Sequence, residues 1–436
     1  MPRHPIGLAL SALNRFAGSD LADRLRIRKP TEKIAYLTTR TGYRVLSGAA
    51  QELKRLERLL PATRLPKSRA ADLFDLSLSD EQQMIQDSLR RLAVDEIRPL
   101  AAQADEAGAL PASIRQQGIE LGLLQFGVPE AFNGMAHQQS PVTSTLIAET
   151  LAWGDMGIAS ALLASCGAAQ AISRWGSGRQ QTAYLPLFAG DTPPQATLAI
   201  DEPRPLFDPL RLATHAWRHG DDFVVEGVKC AVPLGQTAEL LLVAAQIAEH
   251  GPGLFLVETN TPGVRVEADP GMGLRAAGLA RIHLNRVRLP QSALLGEGAD
   301  FDYNELLDLA SLMRCALAVG TSQAVLDYVI PYCNDRQAFG EPISHRQAVA
   351  FMIADMALEI DAMRLLTWRA ASRAEQGLPF HRETYLARQY CNEKAMQIGS
   401  NGVQLLGGHG FVKEHPVERW YRDLRSVAVL HGGLHA

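Results

Sequence analysis

Two stretches near the C-terminal end hold residues whose types and spacing suit phosphate chemistry. One reads Arg336-Gln-Ala-Phe-Gly-Glu-Pro-Ile-Ser-His-Arg-Gln and the other Gln404-Leu-Leu-Gly-Gly-His-Gly-Phe. A guanidinium makes bidentate, charge-assisted bonds to phosphate, and Arg336 offers one beside the apolar ring of Phe339. Gln404 and the Gly407-Gly408 pair let backbone approach a ligand closely, because glycine has no side chain in the way. Each of these alone reads as a turn residue or a surface ion-pair partner; together they offer a cation and close backbone approach to a phosphate group. A different chemistry is offered by His431, since a neutral imidazole accepts a proton near neutral pH. It lies five residues before Ala436, where chain is loosely held unless something ties it down, so an inert terminal histidine is the competing reading.

The usual local signals for other chemistries are missing. The chain has no G-x-x-x-x-G-K-[ST], no G-x-G-x-x-G between a strand and a helix, no G-x-S-x-G and no H-E-x-x-H. Its five cysteines (Cys166, Cys230, Cys315, Cys333, Cys391) are scattered, with no C-x-x-C pair. That argues against a zinc site or a disulfide scaffold and fits a reducing, cytoplasmic setting.

Further segments accompany the two stretches. Ala354-Asp-Met and Arg364-Leu-Leu follow the first; Glu414-His-Pro-Val-Glu-Arg and Tyr421-Arg-Asp follow the second. Upstream lie Asp80-Glu-Gln-Gln, Glu96-Ile-Arg-Pro, Glu120-Leu-Gly-Leu, Val128-Pro-Glu and Glu202-Pro. In order and spacing these resemble the acyl-CoA dehydrogenase family, from about Phe74 to the end of the chain. The resemblance implies an FAD cofactor, an acyl thioester substrate carried by CoA or an acyl carrier protein, and an electron-transfer flavoprotein as acceptor. It implies that Arg336 and Phe339 hold the FAD pyrophosphate end from one subunit, with Gln404, Gly407 and Gly408 supplied by its neighbour. A homodimer or homotetramer follows, with a homologous partner subunit as the variant.

At the reacting end the sequence departs from the family pattern. The family base is most often the Glu of a Glu-Gly-Thr motif shortly after the Arg-Asp pair; here His431 occupies that position. The other family position for the base, on the first long helix of the C-terminal domain, falls on Ala310. The family loop Thr-Glu-Pro-Gly-Ala-Gly-Ser-Asp lines the flavin and the thioester. Here it reads Asp201-Glu-Pro-Arg-Pro-Leu-Phe-Asp, so Ile200 and Asp201 are expected at the cofactor, and Phe207 replaces the serine. A carboxylate facing the ring would disfavour a negatively charged reduced flavin. In the family's Lys-x-Trp-Ile-Thr-Asn-Gly segment, Ala231 and Pro233 replace the Trp and Thr. Three readings stay open: an acyl thioester dehydrogenase with His431 as base, a non-catalytic subunit completing an active homologue, and a different flavin chemistry on the same fold.

The elements that must position these residues follow from periodicity. Ser79 with Gln82 three residues on reads as a capping box opening a helical region that runs to about Ala189. Met156 to Ser173 lacks charge and reads as a buried helix rather than a membrane span. Short β-type runs separated by Gly and Pro turns begin at about Gln195 and suggest an antiparallel barrel or sandwich. Helical periodicity then returns over roughly 303–335, 346–376 and 381–406, with a shorter helix after Pro416. The expected organisation is a multidomain α+β protein: an extension at 1–72, a helical domain at 73–192, a β domain at 193–300 and a C-terminal four-helix bundle at 301–436.

Composition agrees with a globular body, 47% hydrophobic and 21% charged. Residues 1–70 carry 15 Lys and Arg against 5 Asp and Glu. With the whole chain at −4, that arm is at +10 and the remainder at −14. The arm reads as a basic helical extension, with a peripheral contact to an anionic membrane surface or an acidic partner as the alternative. An acidic body is a poor nucleic-acid binder.

Overall fold

A computed structural model describes residues 77–431 apart from 138, 249, 299 and 300. The expected extension at 1–72 and its membrane contact lie outside the described residues.

The first helices form where the sequence caps them. The Ser79 hydroxyl accepts the Gln82 N–H at 3.1 Å, and the Gln82 side chain accepts the Ser79 N–H at 3.0 Å. This capping box opens α1 (Asp80–Leu92), which passes through a π-helical turn into α2 (Arg98–Ala107). Helices α3 (Ala112–Glu120), α4 (Pro141–Gly154), α5 (Met156–Trp175) and α6 (Gly178–Phe188) follow. Asp155 separates α4 from α5: its carboxylate caps α5 at the Ile158 N–H and pairs with Arg419 at 3.0 Å.

Seven strands form one sheet: β1 (Ala196–Ala199), β2 (His215–His219), β3 (Asp222–Val232), β4 (Leu240–Ile247), β5 (Gly251–Glu258), β6 (Val264–Ala268) and β7 (Ala280–Pro290). The order is β1-β4-β2-β3-β7-β6, with β5 on the other side of the path, paired to β4. Most pairs are antiparallel, but β4 runs parallel to both β1 and β2. Strand β4 is a continuous apolar run because both of its faces are covered. Leu240, Leu242 and Ala244 pack toward α5 and α6, whereas Leu241, Val243 and Ala245 pack with residues of β3 and β7.

The C-terminal part holds α7 (Tyr303–Asp335), a two-stranded hairpin of β8 (Gln337–Ala338) and β9 (Glu341–Pro342), then α8 (Gln347–Glu375), α9 (His381–Leu406) and α10 (Val417–Ser426). One apolar core joins α1, α2, α4 and α5 to α7, α8, α9 and α10. Helices α5 and α7 are long and apolar enough to cross a membrane, yet 67% and 78% of their apolar windows are buried inside the fold. A helix apolar on all sides is what a core helix of a larger protein looks like.

Candidate active site

The site is built where the segment after β1 meets the end of the C-terminal helices. Three interactions lock that segment. Lys229 Nζ donates to the Ile200 carbonyl at 3.0 Å, the Cys230 N–H donates to the Asp201 carbonyl at 2.9 Å, and Lys229 pairs with Glu202 at 3.0 Å. Glu202 also accepts the Ala213 and Thr214 N–H groups at 2.7 and 2.8 Å. Burial raises the Glu202 carboxyl, but the Lys229 charge and these hydrogen bonds outweigh it and hold it below the ordinary carboxylate range. Burial also pulls the Lys229 ammonium below its ordinary value. The Asp201 side chain is thereby aimed across at the C-terminal segment.

His431 is the residue it meets. The His431 N–H donates to Asp201 Oδ1 at 2.6 Å, and ring Nδ1 lies 2.9 Å from Asp201 Oδ2. The second contact has the distance of an ion pair without the alignment of a hydrogen bond. His431 takes a left-handed φ of 49° to make both contacts, a conformation disfavoured for a residue with a Cβ and held only by surrounding structure. Arg314 of α7 adds a third tie, its Nη1 donating to the Leu430 carbonyl. Burial raises the Asp201 carboxyl, but the His431 ring beside it and the His431 backbone hydrogen bond, with the Arg314 charge, hold it below the ordinary range. The expectation that the C-terminal end would hold His431 loosely is therefore not met.

The ring opens onto a cavity of about 220 Å³ between α5 and α7. Its wall is mostly apolar, with Phe126, Met156, Leu163, Met313 and Leu317 among the contributors. Pro233 and Ala310 also line it. No Asp or Glu among the described residues does, and His431 is its one histidine. Asp201 stands behind His431 and does not line the cavity. Phe207, expected in the loop beside the cofactor, turns inward and is buried under the sheet, with the Arg204 guanidinium over its ring at 5.4 Å.

Arg336, Phe339, Gln404, Gly407 and Gly408 lie elsewhere, on the outer surface at one end of the bundle, where Tyr332 of α7 bonds His409 just after α9. All five are exposed. Phe339 is 97% exposed at the tip of the β8–β9 hairpin, where it and Gly340 both have positive φ, 58° and 86°. Such a turn favours Asn or Gly, so a phenylalanine there is strained, and its ring has the Arg346 guanidinium at 5.6 Å. Cβ atoms added at Gly407 or Gly408 would meet nothing within 4 Å. Arg336 makes no ion pair among the described residues. The structure thus brings His431 and Asp201 together, with Ile200 adjacent and buried, and keeps the other five apart from them.

Family models for the N-terminal, middle and C-terminal domains of acyl-CoA dehydrogenase match residues 79–191, 197–287 and 296–433. The chain belongs to the acyl-CoA dehydrogenase family. It is 33% identical over 366 residues to the cyclohex-1-ene-1-carbonyl-CoA dehydrogenase of Geobacter metallireducens, covering 81% of this chain and 95% of that protein. The butyryl-CoA dehydrogenase of Megasphaera elsdenii superposes with a TM-score of 0.76 at 26% identity, covering 83% of this chain and 97% of that one. A Mycobacterium smegmatis glutaryl-CoA dehydrogenase in complex with FADH2 gives a TM-score of 0.73 at 26% identity, covering 82% and 93%. Acyl-CoA dehydrogenases are flavin-dependent oxidoreductases acting on CH–CH groups, and the helical, sheet and helical order of this chain is theirs.

Arg314 was missed by reading the sequence. The available signal was a lone cation in the apolar run Leu312-Met-Arg-Cys-Ala-Leu, because a buried charge requires a partner. The pairing of Asp201 with His431 left no local signal.

Proposed function

We propose that this acyl-CoA dehydrogenase oxidises an acyl thioester to the 2,3-enoyl thioester, with His431 as the base that removes the α-proton. The supporting observation is the cavity wall: it is apolar, carries no described carboxylate, and presents one histidine. The alkyl part of the substrate is excluded from water by the residues of α5 and α7. FAD, when bound, supplies the acceptor for the β-hydride. Arg336 is the residue to hold its pyrophosphate, with Phe339 beside it. Gln404, Gly407 and Gly408 provide the close backbone approach, and Ile200 lies at the ring end, with the Asp201 side chain turned to His431 instead. The open glycines, a guanidinium with no ion pair among the described residues and the exposed aromatic fit a cofactor cradle that is finished by a second subunit.

The second subunit is a copy of this chain in the simplest case and a homologue in the alternative. Phe351, Leu358 and Leu365 recur at seven-residue spacing on α8 and are 58%, 69% and 46% exposed, an apolar stripe suited to helix packing. CoA is the carrier favoured by the relatives, and an electron-transfer flavoprotein is the acceptor we assign. Anaerobic addition of a panel of acyl-CoA thioesters to the purified flavoprotein tests the reading. Bleaching of the flavin by one thioester, lost in His431→Ala, supports it. A flavin that no thioester bleaches favours the non-catalytic subunit instead.

A further inference from the structure

We propose that Asp201 is a positioning residue for His431, fixing the imidazole as its Nδ1–H tautomer so that Nε2 faces the cavity with its lone pair. This rests on the reading of His431 as the base, and the two can fail separately.

The geometry carries it. Asp201 uses both carboxylate oxygens on one residue, Oδ1 on the His431 backbone N–H at 2.6 Å and Oδ2 beside Nδ1 at 2.9 Å. The two nitrogens of an imidazole lie on opposite sides of the ring, so engaging Nδ1 leaves Nε2 free. No hydrogen bond is aligned at this contact, but a carboxylate charge 2.9 Å from Nδ1 repels a lone pair there and attracts a proton, which favours the proton on Nδ1 and the lone pair on Nε2. The His431 side chain is 22% exposed and lines the cavity, whereas Asp201 is 8% exposed and does not. Asp201 therefore acts through the histidine rather than on substrate. The same division of labour, a buried carboxylate orienting a histidine that moves the proton, operates in the Ser-His-Asp triad.

The surroundings hold the carboxylate to this task. Strand β3 brings Lys229 and Cys230 near Asp201, α7 brings Arg314 and Tyr303, and Glu202 follows in the chain. Lys229 is committed to Glu202 and the Ile200 carbonyl, and the Tyr303 hydroxyl donates to the Pro209 carbonyl at 3.0 Å. Arg314 donates to the Leu430 carbonyl and lends its charge to Asp201. His431 is left as the group that Asp201 contacts with both oxygens. In the step, the substrate Cα–H bond breaks, the proton passes to Nε2 and the electron pair stays on Cα. The resulting imidazolium is stabilised by the adjacent carboxylate.

The test is exchange of the substrate α-hydrogen with solvent deuterium in the FAD-loaded protein, read by mass spectrometry across pH. Asp201→Asn should lower the plateau rate at least about tenfold. KM and flavin content should hold. An unchanged rate, with exchange abolished in His431→Ala, overturns the role of Asp201 alone. Exchange that survives His431→Ala overturns the base itself. Flavin loss from a folded Asp201→Asn protein overturns the proposal and returns Asp201 to the cofactor site. Should that variant not fold, 15N spectra of histidine-labelled wild-type protein decide, with His431→Gln identifying the signal: an Nδ1–H tautomer supports the proposal and an Nε2–H tautomer overturns it.

Discussion

The two ends of the site are built in opposite ways. At the cavity end, Asp201, Glu202, Lys229 and Arg314 are buried; Glu202 and Lys229 satisfy each other and nearby backbone groups, Asp201 holds His431, and Arg314 bonds the Leu430 carbonyl through Nη1 while its Nε and Nη2 find no partner among the described residues. At the outer end, Arg336, Phe339, Gln404, Gly407 and Gly408 are exposed, and the most prominent of them, Phe339, sits on a strained turn with the Arg346 guanidinium 5.6 Å from its ring. The ties at the cavity end are made within the chain and form as it folds. The outer end can wait for a ligand or a neighbour. Substitutions at the two ends should therefore fail differently: inside, in chemistry or folding; outside, in cofactor retention or assembly.

The largest effect is expected from His431→Ala, which should slow flavin reduction by acyl-CoA about 100- to 10,000-fold in stopped-flow experiments. The ratio of flavin to protein should not change, and losing flavin in this variant would blur the division between the two ends. Next comes Glu202→Gln, which strands the buried Lys229 ammonium and should cost about 3–5 kcal/mol in denaturant unfolding. A cost under about 1 kcal/mol would show that the segment behind the cavity is not held by this pair. At the outer end, Arg336→Ala should weaken FAD retention by about 1.5–3 kcal/mol, seen as flavin lost on gel filtration, with the melting temperature of the apoprotein unchanged. Unchanged flavin content would remove Arg336 from the site. Leu358→Glu should lower the mass measured by light scattering, and no change would move the subunit contact off α8.

A further effect concerns pH. Asp423 of α10 is buried and accepts the Leu274 N–H at 2.7 Å, tying the helix to a residue of the cavity wall. Burial first, and then the Asp155 charge, push its carboxyl up to about 8. An acid raised on folding stabilises the native state below its unfolded value, and that contribution fades as pH rises toward the folded one. Stability should therefore decline between about pH 4 and 8, and Asp423→Asn should flatten that slope in thermal melts. A slope left intact would assign it to other groups.

How much of this was legible in the sequence depended on how local each feature is. The capping box at Ser79 and Gln82, the span of α7 over 303–335 and that of α9 over 381–406 all emerged where periodicity and capping place them. They rest on hydrogen bonds and side-chain spacing within a few residues. So did the family, whose motifs are short and come in a fixed order. The parallel pairing of β4 with β1 and β2 was not legible, because apolar runs specify burial and not the direction of a neighbour.

The candidate site divides along the same line. Residue type alone determined that His431 could take a proton and that Arg336 could hold phosphate, and it gave the expectation that His431 and Ala310 stand where the family carries its acidic base. Only the tertiary structure decided that Asp201, 230 residues away, would be the group that holds His431. It also decided that Arg314 would tie down the neighbouring carbonyl, and that the cavity would offer no described carboxylate. Contacts between distant segments depend on how sheet and helices pack, and nothing in either local stretch encodes the partner it will meet.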